Sequence, residues 1–250
     1  MEVVTVGLVL VTVLVGAGMQ RVTGMGFALV ASPFIVLLLG AVHGVILLNG
    51  CGVAVSGILA VRSFRDVELR KYCILVLSAA LGVLPGALIV TAVSESWLEV
   101  VVGMLILVGI GSSLVLTSRV SPDRVIPLGI AGLFSGLMNV TAGVGGPPLG
   151  VYGALTRWDH RSFAATMQPV FFTVGCISLI VKLSLSGAPG EPFPPPVWIG
   201  VIAVAVVGMM AGGVVERRLT PTAARALLLG LAVLGALTVL IRGVWELALR

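Results

Sequence analysis

The chain has 250 residues, of which 58% are apolar and 10% charged, and a formal net charge of +5. An ordinary soluble domain carries about 25% charged residues, and its interior could not hide this much apolar surface. The composition excludes a cytosolic enzyme, a disordered chain and a nucleic-acid binder, because the 15 Lys and Arg are spread along the chain instead of forming one basic footprint.

A membrane-spanning helix takes about 20 residues, so this length accommodates about ten spans with tight loops. Residues 1–19 lack a basic leader and a convincing cleavage site, and 3–19 is read as a retained helix. Gln20–Thr23 interrupts it, and a marginal run follows over 24–39. Gly40–Ala41 leads to the run 42–61, and the basic stretch Arg62–Lys71 leads to 72–93. Ser94–Trp97 precedes 98–116, and Thr117–Arg124 closes the first half. The second half holds runs over 125–138, 147–155, 162–185, 197–215 and 226–241. They are separated by Asn139–Gly146, Thr156–Arg161, Ser186–Pro196 and Glu216–Arg225. The run 147–155 is too short to cross alone, and 24–39 is borderline; each follows a Gly-rich break. Both are predicted to be broken or re-entrant helices.

Charge orients the spans. Whether the short runs cross or re-enter, alternate breaks fall on the same side. The odd-numbered breaks hold Arg21, Arg62, Arg65, Arg70, Lys71, Arg119, Arg124, Arg157, Arg161, Arg217, Arg218 and Arg225. The other side holds only Arg242 and Arg250, and Lys182 lies within a span. The positive-inside rule then places the Arg62–Lys71 loop in the cytoplasm and both termini outside.

The halves resemble one another. An offset of 119 brings Gly24-Met25-Gly26-Phe27 onto Gly143-Val144-Gly145-Gly146, Gln20 onto Asn139, and Asn49 onto Gln168. An offset of 126 brings Gly82 and Gly86 onto Gly208 and Gly212. Five segments per half is an odd number, so the second half is inverted. The expected fold is an all-α polytopic membrane protein of two inverted five-segment repeats, 1–118 and 119–250, each with a short broken or re-entrant helix near its start. Such repeats mark secondary transporters.

The breaks also carry the candidate chemistry. Glycine lets backbone turn sharply and approach a ligand. The start of a helix presents N–H groups and a favourable dipole to an anion. Gln20, Arg21, Thr23, Gly24 and Gly26 at the first break, and Asn139, Thr141, Gly143, Gly145 and Gly146 at the second, are therefore candidate substrate contacts. Asn49 and Gln168 would add amide donors from the following spans. Arg21 would supply the counter-charge; its other reading is a helix end at the cytoplasmic surface. His43 and Lys182 are candidates for a proton or gating role, against an interfacial histidine and a lysine that snorkels outward. All ten acidic residues fall at segment ends, in loops or in the tail, which suits an anion pathway better than a carboxylate proton relay. Cys51, Cys73 and Cys176 sit singly in apolar runs and are read as small core residues. No metal or cofactor is expected.

The two elements Gly24-Met25-Gly26-Phe27-Ala28-Leu29-Val30-Ala31-Ser32-Pro33 and Gly143-Val144-Gly145-Gly146-Pro147-Pro148, with the basic loop Arg62–Lys71, resemble the TauE/SafE sulfite exporter family. The first element departs from the family's triple-glycine form at Phe27 and Ala28. The resemblance implies a non-enzymatic, alternating-access transporter of the bacterial inner membrane. It implies small sulfur oxyanions such as sulfite or sulfoacetate as cargo, the lipid bilayer as surroundings, no nucleic-acid partner, and room for a homodimer. The alternatives are a carrier of another small anion such as a carboxylate, and a ligand-free membrane assembly subunit.

Overall fold

The computed structural model describes residues 3–115, 121, 124–185, 195–216 and 220–249. Arg119, Arg217, Arg218 and most of the Ser186–Pro196 loop lie outside the described residues. Each apolar run forms a helix: α1 Val3–Thr23, α2 Gly26–Leu39, α3 Ala41–Ser63, α4 Leu69–Ala92, α5 Glu95–Val115, α6 Val125–Ala142, α7 Gly146–Thr156, α8 His160–Leu185, α9 Pro195–Glu216 and α10 Pro221–Ala248. One 3₁₀ turn covers Phe64–Asp66. Eight of the helices are long and apolar enough to cross a membrane. The 14-residue α2 and the 11-residue α7 are not. At about 1.5 Å per residue they fall well short of a hydrocarbon core of about 30 Å.

The breaks are narrower than the sequence suggests. Gln20, Arg21 and Thr23 belong to the last turns of α1, and Asn139 and Thr141 to α6. The helical ladder continues through them: Gly24 N–H donates to the Gln20 carbonyl at 2.8 Å, and Gly143 N–H to the Asn139 carbonyl at 2.9 Å. The chain turns only where glycine permits a left-handed backbone, at Gly24 (φ +82°) and Gly143 (φ +70°).

After each turn the short helix folds back along its predecessor. Val9, Val13 and Ala17 of α1 pack with Phe27, Ala31 and Ile35 of α2. Ser135 of α6 donates to the Gly145 carbonyl at the start of α7, at 2.7 Å. The two hairpins enter from opposite ends of the bundle. α3 and α8 run antiparallel, with Gly57 against Phe172 and Gly175 against Val53. Gly24 lies against Ala164 near the start of α8, whereas Gly143 lies against Val45 and Leu48 in the first half of α3. Where the tips overlap, Met25 rests on Gly146 and Gly150.

Glycine allows the long helices to approach closely around the hairpins. In the pair α4/α6, a Cβ on Gly82 would overlap the Leu133 carbonyl, and one on Gly86 would crowd Leu137 and Val140. In the pair α9/α1, a Cβ on Gly208 would overlap the Leu14 carbonyl and one on Gly212 the Gly18 carbonyl. Gly109 of α5 meets Pro147 of α7, and Gly235 of α10 meets Pro33 of α2.

The surface is apolar and the interior holds polar groups. Leu77, Leu81, Leu84 and Leu88 of α4 point outward, as do Ile199 and Met210 of α9. Gln20, Asn49, Ser56, Asn139, Gln168 and Lys182 are buried. This inversion of a soluble globule suits a lipid surround, where polar groups must be satisfied inside the protein. Cys51 is buried, as expected, but Cys73 is on the outer face of α4.

The two ends differ in charge. At one end the Phe64–Glu68 segment meets the α7–α8 junction. Trp158 Nε1 donates to Glu68, Ser162 Oγ donates to Glu68 at 2.8 Å, and Arg161 pairs with Asp66 at 3.0 Å. At the other end Arg242 of α10 donates to the Leu37 carbonyl at 2.6 Å and lies 3.7 Å from Glu99. Glu99 stays near the start of its segment, as expected, yet it is enclosed. It lies one turn inside α5 and is 1% exposed, because α10 closes over it.

Candidate functional site

A cavity of about 40 Å³ opens where the hairpin tips meet α3 and α8. At about 10–15 Å³ per water centre it holds only a few atoms' worth of ligand. Its polar lining comes from Gln20 of α1, Asn49 and Ser56 of α3, and Asn139 of α6. Leu48, Val53 and Phe171 form apolar walls, while Gly143, Gly145 and Gly146 bring backbone to the surface. Among the described residues, no ionisable side chain is in the lining.

Gln20 is held from both sides. Its Oε1 accepts from Phe27 N–H at 3.0 Å, which satisfies a donor in the first turn of α2. Its Nε2 donates to Gln168 Oε1 at 3.2 Å. Gln168 in turn donates to the Gly24 carbonyl at 3.0 Å and the Ala164 carbonyl at 3.1 Å. One chain of amides thus ties α8, the first tip and the cavity wall together.

Asn49 and Asn139 have capacity to spare. Asn49 Nδ2 and Asn139 Oδ1 are buried without a hydrogen-bond partner among the described residues. Buried polar atoms are nearly always paired, and both of these residues line the one cavity. The ends of an Asn amide are nearly isosteric, and a half-turn of Asn139 would present its donor instead. The α7 start supplies fewer donors than a generic helix N-terminus, since Pro147 and Pro148 have no N–H.

The structure gathers some of the predicted residues and separates others. Gln20, Asn49, Asn139, Gly143, Gly145 and Gly146 line the cavity. Gln168 stands behind Gln20, and Gly24 offers its carbonyl to Gln168. Gly26 makes close approach possible, with Thr23, Met19 and Leu228 around the position a Cβ would take. Thr23 and Thr141 turn their hydroxyls onto their own helices, donating to the Met19 and Leu137 carbonyls at 2.8 Å each. Arg21 is not in the lining. It is exposed, with Nε beside Gly213 of α9, because one residue of helix turns it about 100° from Gln20. His43 is exposed near the start of α3, away from the cavity. Lys182 does not snorkel: its residue is 2% exposed and its Nζ is buried.

Sequence reasoning missed Ser56, Phe171 and Gly175. The signal was present as helical spacing: Asn49, Gly52 and Ser56 on α3, and Gln168, Phe171 and Gly175 on α8, each fall at intervals of three and four.

Among the described residues outside the spans, Glu68 is the titratable group the surroundings shift. Partial burial pushes its carboxyl up, but hydrogen bonds from Lys71, Ser162 and Trp158, with the Lys71 charge, outweigh this and hold it below the ordinary glutamate range.

Crossing helices, polar interior and two opposed helix breaks around one cavity define a multi-pass membrane protein of the transporter class. The chain belongs to the sulfite exporter TauE/SafE family, whose model matches residues 8–239. Neither a curated protein nor a solved structure matches it.

Proposed function

We propose that the chain is a secondary transporter that exports small sulfur oxyanions, sulfite or a short organosulfonate, by alternating access across the bacterial inner membrane. The observation that carries this reading is the meeting of two hairpin tips, from opposite ends of the bundle, at one small uncharged cavity with unsatisfied amides. A compact oxyanion fits such a place. Asn49, Asn139 after its half-turn, and backbone N–H groups at Gly145 and Gly146 would donate to its oxygens, and Gln20 would set the wall they face. A purely apolar cavity would leave those oxygens unbonded at a prohibitive cost. A carboxylate lining would repel them.

Inverted repeats over 1–118 and 119–250 are supported by the glycine contacts. The offset of 119 that relates Leu14 to Leu133 and Gly18 to Leu137 joins the offset of 126 that relates Gly82 and Gly86 to Gly208 and Gly212. The Gly82 and Gly86 contacts of α4 with α6 therefore have counterparts in the Gly208 and Gly212 contacts of α9 with α1. Rocking one half against the other would open the cavity to each side in turn. The end carrying Arg62, Arg65, Arg70, Lys71, Arg157 and Arg161 faces the cytoplasm in this reading, with both termini periplasmic.

Sulfite, sulfoacetate, sulfate and acetate flux in proteoliposomes tests the proposal, with wild type beside Asn49→Leu and Asn139→Leu. Sulfite or sulfoacetate should move, and each substitution should lower the flux at least about tenfold, the value of one or two lost charge-assisted hydrogen bonds. Equal acetate flux would shift the substrate class to carboxylates. Absence of any anion flux would overturn the transporter reading.

A further inference from the structure

Besides the apolar line Phe163, Met167, Val170 and Val174, the α8 helix turns a stripe with polar members inward. Gln168, Phe171, Gly175, Ser178 and Lys182 follow one another by three and four residues and so share a face. The first three belong to the site already described. Ser178 and Lys182 continue the line toward the C-terminal end of α8, at 0% and 2% exposure. Neither Ser178 Oγ nor Lys182 Nζ has a hydrogen-bond partner among the described residues. The buried orphans among the described residues are Asn49, Glu99, Asn139, Ser178 and Lys182. All but Glu99 lie at the cavity or on this stripe.

Lysine offers three donors and no acceptor. A charged side chain inside a transmembrane bundle is costly and marks a pathway or a partner. Among the described residues, Glu99 and Glu246 at the same end are engaged by Arg242, and Glu246 also accepts from Ser96. Helical side chains lean toward the helix N-terminus, which from Lys182 is the direction of Ser178 and the cavity.

We infer that Ser178 and Lys182 form a second anion station, on the route between the central cavity and the C-terminal end of α8, taking a compact oxyanion as it passes. The inference rests on the reading of the cavity as an anion site. With an oxyanion beside it, the station's lysine would supply a positive charge that the cavity itself does not hold.

Sulfite flux by the reconstituted full chain tests it, comparing wild type, Lys182→Met, Lys182→Arg, Ser178→Ala and Asn49→Leu. Lys182→Met should lower flux about tenfold at low sulfite and raise the half-saturating concentration on the side where α8 ends. Lys182→Arg should retain most of the flux. Replacing a buried unpaired charge with a thioether should leave thermal stability at or above wild type, which separates lost transport from misfolding. If Lys182→Met does unfold, Ser178→Ala carries the test, with an expected two- to threefold rise in the half-saturating concentration. Wild-type flux in both Lys182→Met and Ser178→Ala, with flux lost in Asn49→Leu, would overturn the station and leave the cavity reading intact. Equal loss in Lys182→Met and Lys182→Arg would also overturn it. No wild-type flux would remove the cavity reading and the station together.

Discussion

Gln20 and Gln168 are 148 residues apart in sequence and share a buried hydrogen bond of 3.2 Å, so the first hairpin tip is anchored to α8 by an amide pair. The pair also determines what the cavity wall presents. With Oε1 facing Phe27 N–H and Nε2 facing Gln168, Gln20 cannot turn without stranding a donor. Gln168→Leu should therefore cost about 1–3 kcal/mol through the groups left unpaired, and should slow sulfite flux. Gln20→Glu keeps the shape and adds a negative charge. Flux measured in proteoliposomes should fall far more for Gln20→Glu than for Gln168→Leu; the reverse order would mean the cavity does not carry an anion.

Close helix approach should be sensitive to a single methyl. Gly82→Ala places a Cβ on the Leu133 carbonyl oxygen. Overpacking of this kind costs about 1–3 kcal/mol. Gly129→Ala, on α6, meets nothing within 4 Å, and should be neutral. Thermal unfolding in detergent should separate the two, with only the first melting earlier.

Arg242 holds the far end of the bundle by touching α2 and α5 at once. Arg242→Ala would strip the Leu37 carbonyl of its donor and leave Glu99 buried beside Glu246 and Glu95. Removing the partner of a buried charge costs about 3–5 kcal/mol. The Arg242 side chain is 42% exposed, so about 1–3 kcal/mol is expected after solvent screening. Adding Glu99→Gln should restore most of the lost melting temperature; no recovery would show that Arg242 acts through packing instead.

The clamp at the basic end should loosen in acid. The folded-state carboxyl of Glu68 lies below its unfolded value. Its contribution is therefore fully present above the unfolded value and is lost as pH falls through the folded one. The tryptophan fluorescence difference between wild type and Trp158→Phe should change below about pH 4. Glu68→Gln should flatten that change. A transition that persists in Glu68→Gln would assign it to another acid.

The helices were legible because apolar runs and Gly-rich breaks are local signals. The exact ends were not: Gln20 and Asn139 look like break residues in a polar stretch, yet their carbonyls still accept from Gly24 and Gly143. The matching amides of the two halves were legible by offset, and three of the four, Gln20, Asn49 and Asn139, line the cavity. Arg21 was misleading because proximity in sequence to a glycine break says nothing of helix azimuth; adjacent helical residues point about 100° apart. The burial of Glu99 and of Lys182 depends on which neighbour covers a helix end, and that is a tertiary fact without a local signature.

An uncharged centre has a consequence for direction. Among the described residues, the cavity holds amides, a hydroxyl and backbone, and no ionisable side chain. In the proposed transporter, nothing moving with the cargo would cancel its charge, and the membrane voltage would act on the anion in full. Each elementary charge crossing 100 mV gains or loses about 2.3 kcal/mol, close to a fiftyfold concentration ratio. With the basic end in a cytoplasm held negative, that bias points outward. The resting voltage alone would then expel the anion, and uptake would require a coupled ion to run against it.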